Sequence, residues 1–379
     1  MKGIKVVYRF FHGHVVLTVA LLFALITMVI VPPDIQYLDY IDFKTLCCLF
    51  ATLLVVCALK NIRFFTLIAR KIVHSTPNLR ICILALIYIT FIGSLFIAND
   101  MALITFLPLG FFVLNDTGNT RYMPWVFVLQ NISANLGGML TPFGNPQNLY
   151  IYNNFDIPTL EFMKVMALPF LLSITMLTLS VLFFPKKKME FTIDEGADQI
   201  TLNPKRTAAY LALFALSIVM VFNIVPFYVA TPVIFVSMLF LDRKAILNVD
   251  YPLLLTFLMF FIFAGNMSRI DLVRSFMSGL LDTNTLVVSA LSCQVISNVP
   301  TAVLLSQFVD KNGYVPLLLG VNIGGTGTII ASLASLITFS EFSRNAPTEK
   351  KKYMGIFTLL NVIFLITLLT FCILIEKFL

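Results

Sequence analysis

The chain has 379 residues, 59% of them hydrophobic and only 12% charged, with a mean hydropathy of +0.93. A chain that apolar is excluded from the soluble and the disordered classes and reads as a multi-pass membrane protein. Its net charge of +7 sits mostly in loops, so it is read as an orientation signal and not as a nucleic-acid surface.

The six cysteines, at 47, 48, 57, 82, 293 and 372, lie mostly within apolar runs and lack metal-ligand spacing; they are expected to be small buried apolar residues, with no metal site and no cofactor. Lys2, Lys5 and Arg9 precede the first apolar run, His14 to Val31, which is long enough to span and is followed by no small-residue cleavage site. The next loop, Pro32 to Asp42, carries only Asp34, Asp39 and Asp42 as charges, so the N-terminus is expected in the cytoplasm. A second span, Phe43 to Leu59, returns to Lys60, Arg63, Arg70 and Lys71. These belong to Asn61–Ser75, where Phe64, Phe65, Ile68 and Ile72 recur at helical spacing opposite a basic face, which predicts a helix lying along the interface.

The apolar length Leu79 to Leu114 is interrupted at Ala98-Asn99-Asp100. Its second limb, Met101 to Leu114, has about 14 residues and reaches about 21 Å, short of a hydrocarbon core of roughly 30 Å. This predicts a re-entrant hairpin with a polar tip, although the first limb is long enough that two crossings would leave the loop charges unchanged. The following span, 124–152, contains Asn131-Ile-Ser-Ala-Asn-Leu-Gly-Gly-Met-Leu-Thr-Pro-Phe-Gly-Asn-Pro-Gln-Asn148. Three glycines and two prolines there predict a broken helix. Broken backbone at membrane depth is tolerated where it is buried in protein or lines a wet cavity.

A further span, Phe162 to Phe184, leads to a polar loop, 186–206, which opens with three lysines, has Asp194, Glu195 and Asp198 in its middle, and separates 1–185 from 207–379. Thr207–Asn223, Val229–Leu241 and Pro252–Asn266 then cross. Met267–Leu281 alternates Ile270, Leu272, Val273, Phe276, Met277 and Leu280 with Arg269, Asp271, Arg274 and Ser278, predicting a second interfacial helix. A second hairpin, 284–311, has Ser297-Asn298-Val299-Pro300 at its tip. A second broken span, 315–339, and a last span, Met354 to Ile375, complete the chain, with Arg344 and Lys350–Lys352 between them. The order crossing, crossing, interfacial helix, hairpin, broken span, crossing thus occurs twice, starting from opposite sides. The expected fold is an all-α polytopic membrane protein with an inverted-topology repeat, two re-entrant hairpins and two broken helices. It has nine crossings and an outside C-terminus, with Arg269, Arg274, Lys311 and Lys377 as exceptions to the charge bias.

Asn322–Ser335 aligns without a gap to Asn135–Asn148, so that Asn135, Gly137, Gly138 and Thr141 match Asn322, Gly324, Gly325 and Thr328, while Asn145 and Asn148 match Ser332 and Ser335. Interrupted helices in corresponding halves point to a transport site. Half-helix N-termini attract anions, and unwound carbonyls with Asn, Ser or Thr oxygens can ligate a small cation. Four polar elements are therefore expected to converge. Asn99, Gly138, Thr141, Gly144, Asn145, Asn148, Ser297, Asn298, Thr301, Gly325, Thr328 and Ser332 are candidates for the substrate, and Asn99, Asp100, Asn135, Ser297, Asn298 and Asn322 for the coupling ion, H+ or Na+. Asp100 is the only acidic residue expected deep in the membrane, where an Asp costs about 2.5–3.5 kcal/mol and usually works on ions or protons. Its structural alternative is a helix cap. No Ser/His/Asp set, phosphate loop or zinc spacing suggests an enzyme.

Asn99-Asp100 with Leu107-Pro108, the Gly-Gly…Thr-Pro-x-Gly-Asn-Pro-x-Asn element ending at Asn148, and Ser297-Asn298 with Thr301 resemble the ion transporter superfamily of arsenite permeases, citrate and divalent-anion symporters and a sodium/proton antiporter branch. The resemblance covers nearly the whole chain. It implies a homodimer whose transport domains move elevator-fashion within a scaffold, and it places Asn99, Gly144, Asn148, Ser297, Asn298 and Thr328 at the substrate and ion sites. Sodium–dicarboxylate symporters of this group carry Ser-Asn-Thr at both tips. Here the tips read Ala98-Asn99-Asp100 and Ser297-Asn298-Val299, and an Asp at the first is more similar to the permease and antiporter branches. The expected function is secondary active transport of a small anion across the inner, plasma membrane. The alternatives are a sodium/proton antiporter, an arsenite-type efflux permease and a non-transporting membrane scaffold.

Overall fold

The structure, a computed structural model, describes residues 14–189, 202–311 and 313–375. Lys2, Lys5, Arg9, Lys377 and the acidic middle of the 186–206 loop lie outside the described residues. Within lipid a chain must close its backbone hydrogen bonds inside each segment, and long apolar runs do so as helices. The described residues are accordingly nearly all helical and contain no strand, only an isolated bridge between Asn78 and Lys188.

The helices are α1 (Val15–Ile30), α2 (Phe43–Asn61), α3 (Phe64–His74), α4 (Leu79–Phe96), α5 (Asn99–Asp116), α6 (Met123–Gly137), α7 (Pro146–Asn154), α8 (Thr159–Val181) and α9 (Pro204–Val221) in the first part. Then follow α10 (Phe227–Leu241), α11 (Arg243–Leu247), α12 (Tyr251–Ser268), α13 (Asp271–Ile296), α14 (Asn298–Leu305), α15 (Tyr314–Ile323), α16 (Leu333–Asn345) and α17 (Lys350–Ile375). Seven helical segments among the described residues are long and apolar enough to cross a membrane, beginning at Ile35, Leu79, Thr159, Pro204, Tyr251, Asp271 and Pro347. Side-chain acceptors start many of these helices: Asp42 accepts from the Thr45 amide at 2.9 Å, Asn78 from Ile81 at 3.2 Å and Asp250 from Leu253 at 3.0 Å. Each satisfies an N–H that has no carbonyl one turn back.

Three boundaries differ from the sequence expectation. The second limb at the first tip, α5, is an 18-residue helix, about 27 Å long and as long as α4, because Asn99 and Asp100 join its first turn and Asn115 and Asp116 its last. The first break is narrower than Asn131–Asn148. Asn131 to Gly137 stay helical, a short 3-10 turn covers Gly138–Leu140, and helix resumes at Pro146, whose fixed φ suits a first helical position. Finally, the expected interfacial helix and the limb after it form one run, α13, kinked at Asn284 (φ −170°, ψ 97°), whose side chain caps the Val287 amide at 2.9 Å.

The broken helices sit in the middle. Every residue of α7 but the terminal Asn154, and every residue of α6 but Trp125, is buried. Helix α17 instead buries one stripe, from Tyr353 through Phe357, Asn361, Phe364 and Leu368 to Cys372, and turns Leu359, Ile366 and Leu374 outward. Loops gather at two ends. At one, Arg269 pairs with Asp34 at 2.8 Å and Lys44 with Asp156 at 3.8 Å. At the other, the Leu79 amide donates to the Lys187 carbonyl at 2.8 Å and Arg206 pairs with Asp242 at 3.1 Å.

Candidate substrate and ion site

Two non-helical links carry the tips. Ile97 and Ala98 are extended between α4 and α5, and Ser297, at φ 74°, joins α13 to α14 in a conformation uncommon for a residue with a Cβ. Each tip is tied to the neighbouring break in the same way. The Asn99 amide donates to the Gly144 carbonyl at 3.2 Å, and the Asn298 amide to the Ala331 carbonyl at 2.9 Å. Each Asn side chain then accepts from the next amide, of Asp100 or of Val299, at 2.9 Å in both cases. The Thr141 hydroxyl donates to the Leu95 carbonyl and the Thr328 hydroxyl to the Gln294 carbonyl, both at 2.9 Å. Gly137 and Gly324 allow the close approach: an added Cβ would stand 2.2 Å from the Phe91 carbonyl oxygen in one half and 2.8 Å from Cys293 Sγ in the other.

The leading amides of both tips are thus occupied by the protein. An anion would instead meet the first turns of α7 and α16, represented by Pro146 and Gln147 and by Ser332 and Leu333, which face one cavity together with Asn99, Asp100, Ser297 and Asn298. The cavity measures about 30 Å³, room for a water-sized group and too little for a polyatomic anion. The Asp100 side chain is buried, and its Oδ1 has no hydrogen-bond partner in the structure; the Gln147 Oε1 is in the same position. Among the described residues no group of three or more His, Cys, Asp or Glu could hold a metal ion. A cation in this cavity would therefore meet a single carboxylate and neutral oxygens.

Behind the cavity, asparagines cross-link the two halves. Asn135 Oδ1 accepts from Asn99 at 3.1 Å and from the Ser332 hydroxyl at 2.8 Å, while its Nδ2 donates to the Gly325 carbonyl at 3.4 Å. Asn145 donates to the Asn135 carbonyl at 3.1 Å and to Asn322 Oδ1 at 3.4 Å. Asn322 donates to Asn148 Oδ1 at 2.6 Å, and Asn148 binds the carbonyls of Gly138, Met139 and Thr141 at 3.2, 3.2 and 3.3 Å. Gly138 and Gly144 are packed so closely that a Cβ on either would meet the other within 2.7 Å.

Of the residues singled out from sequence, Asn99, Asp100, Ser297, Asn298 and Ser332 line the cavity; Asn135, Gly138, Gly144, Asn145, Asn148, Asn322 and Gly325 form the layer behind it. Thr141, Thr301 and Thr328 are not at the cavity. Thr141 and Thr328 brace the breaks, Thr328 from an exposed position, and the buried Thr301 donates to the Ser297 carbonyl at 2.7 Å. Two polar lining residues escaped the sequence reading. Gln147 lies within the motif already noted and its position after Pro146 marks a helix start, whereas Thr256 stands alone in an apolar span and gives no signal.

Interrupted helices with convergent amides, enclosed by apolar helices long enough to cross a bilayer, define an integral membrane protein of the transporter type. Residues 10–313 match the citrate transporter family. An uncharacterised transporter of Methanocaldococcus jannaschii is 32% identical over 299 residues, 79% of this chain and 80% of that protein. The inner membrane protein YbiR of Escherichia coli is 27% identical over 303 residues, 78% and 79% of the two chains. A protein of Dictyostelium discoideum bearing the transporter name arsB is 28% identical over 128 residues, 33% of this chain and 21% of that one. The chain belongs to the citrate transporter family, within the ion transporter superfamily that its motifs resemble.

Proposed function

We propose that the protein is a secondary active transporter that moves a small anion, an organic carboxylate or an inorganic oxyanion, coupled to H+ or Na+. The observation that carries this reading is the meeting of both hairpin tips and both helix breaks around one cavity containing a buried, unpartnered carboxylate oxygen. Coupling is assigned to Asp100 with the oxygens of Asn99, Asn298 and Ser297, and the anion to the first turns of α7 and α16 with Gln147 and Ser332. The small cavity volume supports a mechanism with motion, because a carboxylate can enter only when the tips part from the breaks. The elevator-type movement of a homodimer is carried over from the resemblance. The paired contacts of the two halves support an inverted repeat with re-entrant tips, and the basic loops support a cytoplasmic N-terminus and an inner-membrane location.

A second reading, sodium/proton antiport or arsenite-type efflux, is favoured by one asymmetry: the carboxylate at position 100 is matched by a Val at the equivalent position 299. Proteoliposomes loaded with a panel of carboxylates and oxyanions, under an imposed H+ or Na+ gradient, discriminate the two. Gradient-driven transport of one carboxylate or oxyanion is the expected result; cation exchange with no anion moved would favour antiport, and movement of arsenite alone would favour arsenite-type efflux.

A further inference from the structure

Beside the limb α5, away from the cavity at the tips, lies a second cavity of about 460 Å³. One wall is basic: Lys60 from the end of α2, Arg63 from the turn, and Thr66 and Arg70 from α3. The other, from α5, is apolar: Ile104, Pro108 and Phe112. The Arg70 guanidinium lies over the Phe112 ring at 5.7 Å, and its Nε is buried with no hydrogen-bond acceptor. Lys60 and Arg70 form no ion pair among the described residues. A buried donor without an acceptor is costly, so this arrangement favours an incoming anionic oxygen. The apolar wall, on which Ile104 and Pro108 are exposed, suits acyl chains better than it suits a soluble anion.

We propose that this cavity binds an anionic phospholipid, with its phosphate among Lys60, Arg63 and Arg70 and its acyl chains along Ile104, Pro108 and Phe112. Basic clusters flanking membrane helices attract anionic headgroups at about 1 kcal/mol per Lys or Arg, which corresponds to roughly fivefold in affinity per charge. The site joins the α2–α3 arm to the limb that carries Asp100, so it deepens the transport reading, on which it rests, by giving that limb a lipid contact behind its tip, and its binding is measurable without any flux.

Native mass spectrometry of the detergent-purified chain with phosphatidylglycerol or phosphatidylcholine tests this. Wild type should retain phosphatidylglycerol in preference to phosphatidylcholine. Lys60→Gln with Arg70→Gln should weaken retention about 25-fold, and Lys187→Gln, at a different loop, should leave it unchanged. If the double variant is not monodisperse, Thr105→Leu, which fills the same cavity without removing charge, should cause a similar loss. Equal retention of the two lipids, or undiminished retention in the variants, would overturn the proposal. So would displacement of the lipid by millimolar glycerol phosphate, which would mark a site for soluble anions. Lipid retention in a protein without anion flux would count against the transport reading and leave this one standing.

Discussion

Asp100 and Val299 follow the tip asparagines at equivalent points of two otherwise matching arrangements, so the difference between a carboxylate and an isopropyl group is the chemical asymmetry of the cavity. Asn at position 100 keeps an amide oxygen of the same reach and removes the charge. Asp100→Asn is expected to fold and to lose the dependence of flux on the H+ or Na+ gradient. The structure does not make Asp100 a cap, since among the described residues no side chain caps α5 and the Asp100 Oδ1 has no partner; unchanged gradient-driven flux in proteoliposomes would move coupling to the neutral oxygens. Glycine substitutions give a graded test. A Cβ at Gly138 would stand 2.4 Å from Asn145 Oδ1, whereas at Gly325 the nearest atom, Asn298 Nδ2, is 3.1 Å away. Leu at either position should abolish flux. Ala should be tolerated at 325 and not at 138, where overpacking costs roughly 1–3 kcal/mol. Flux assays on four variants with matched membrane expression decide it.

At the scale of elements, the tips and breaks act as one unit because backbone amides, not only side chains, join them. Asn135 is the junction: it holds Asn99, Ser332, the Gly325 carbonyl and Asn145 together. Replacing it leaves several buried polar groups unpaired, each worth about 1–3 kcal/mol. Asn135→Ala should therefore lower the melting temperature in detergent far more than Thr328→Val, which removes one exposed hydrogen bond. Equal shifts would mean that the four elements do not depend on this junction. On the periphery, Tyr314 donates to Glu161, joining α15 to α8. That contact brings together segments far apart in the chain, which no local pattern announces.

For the whole molecule, the sorting of loops to two ends makes topology testable with exposed residues. Asp39→Cys is expected to react with an impermeant thiol reagent added to intact cells, and Thr348→Cys only after permeabilisation. Five of the six native cysteines are buried, so background labelling should be low. Reaction at Thr348 in intact cells would reverse the orientation. At the Asp39 end, the hydrogen bond from Arg269 holds the Asp34 carboxyl below its ordinary range. A lowered folded-state pKa means that the stabilisation is present above the unfolded value, near 4, and is lost as pH falls through the folded one. Melting curves of wild type and Asp34→Asn should differ slightly at pH 7 and converge as pH falls through the lowered folded-state value, since an exposed pair contributes little.

Apolar runs, basic loops and two Gly-rich breaks were sufficient to read a helical, multi-pass membrane protein of a transporter family directly from sequence, because the bilayer forces length, hydropathy and backbone satisfaction onto every span. The matching of Asn135–Asn148 with Asn322–Ser335 also pointed to residues that meet, and Asn99, Asp100, Ser297, Asn298 and Ser332 do share a cavity. Depth was not legible. A Thr at the right spacing reads the same whether it lines the cavity or, like Thr141, ties a break to a neighbouring helix. Nor could spacing tell that the tip amides are consumed by the Gly144 and Ala331 carbonyls, or that α5 extends to 18 residues. Those outcomes rest on which polar groups find partners when four elements close on one another, and only the tertiary structure decides that competition, since each hydrogen bond formed there removes a donor or acceptor from whatever the cavity binds.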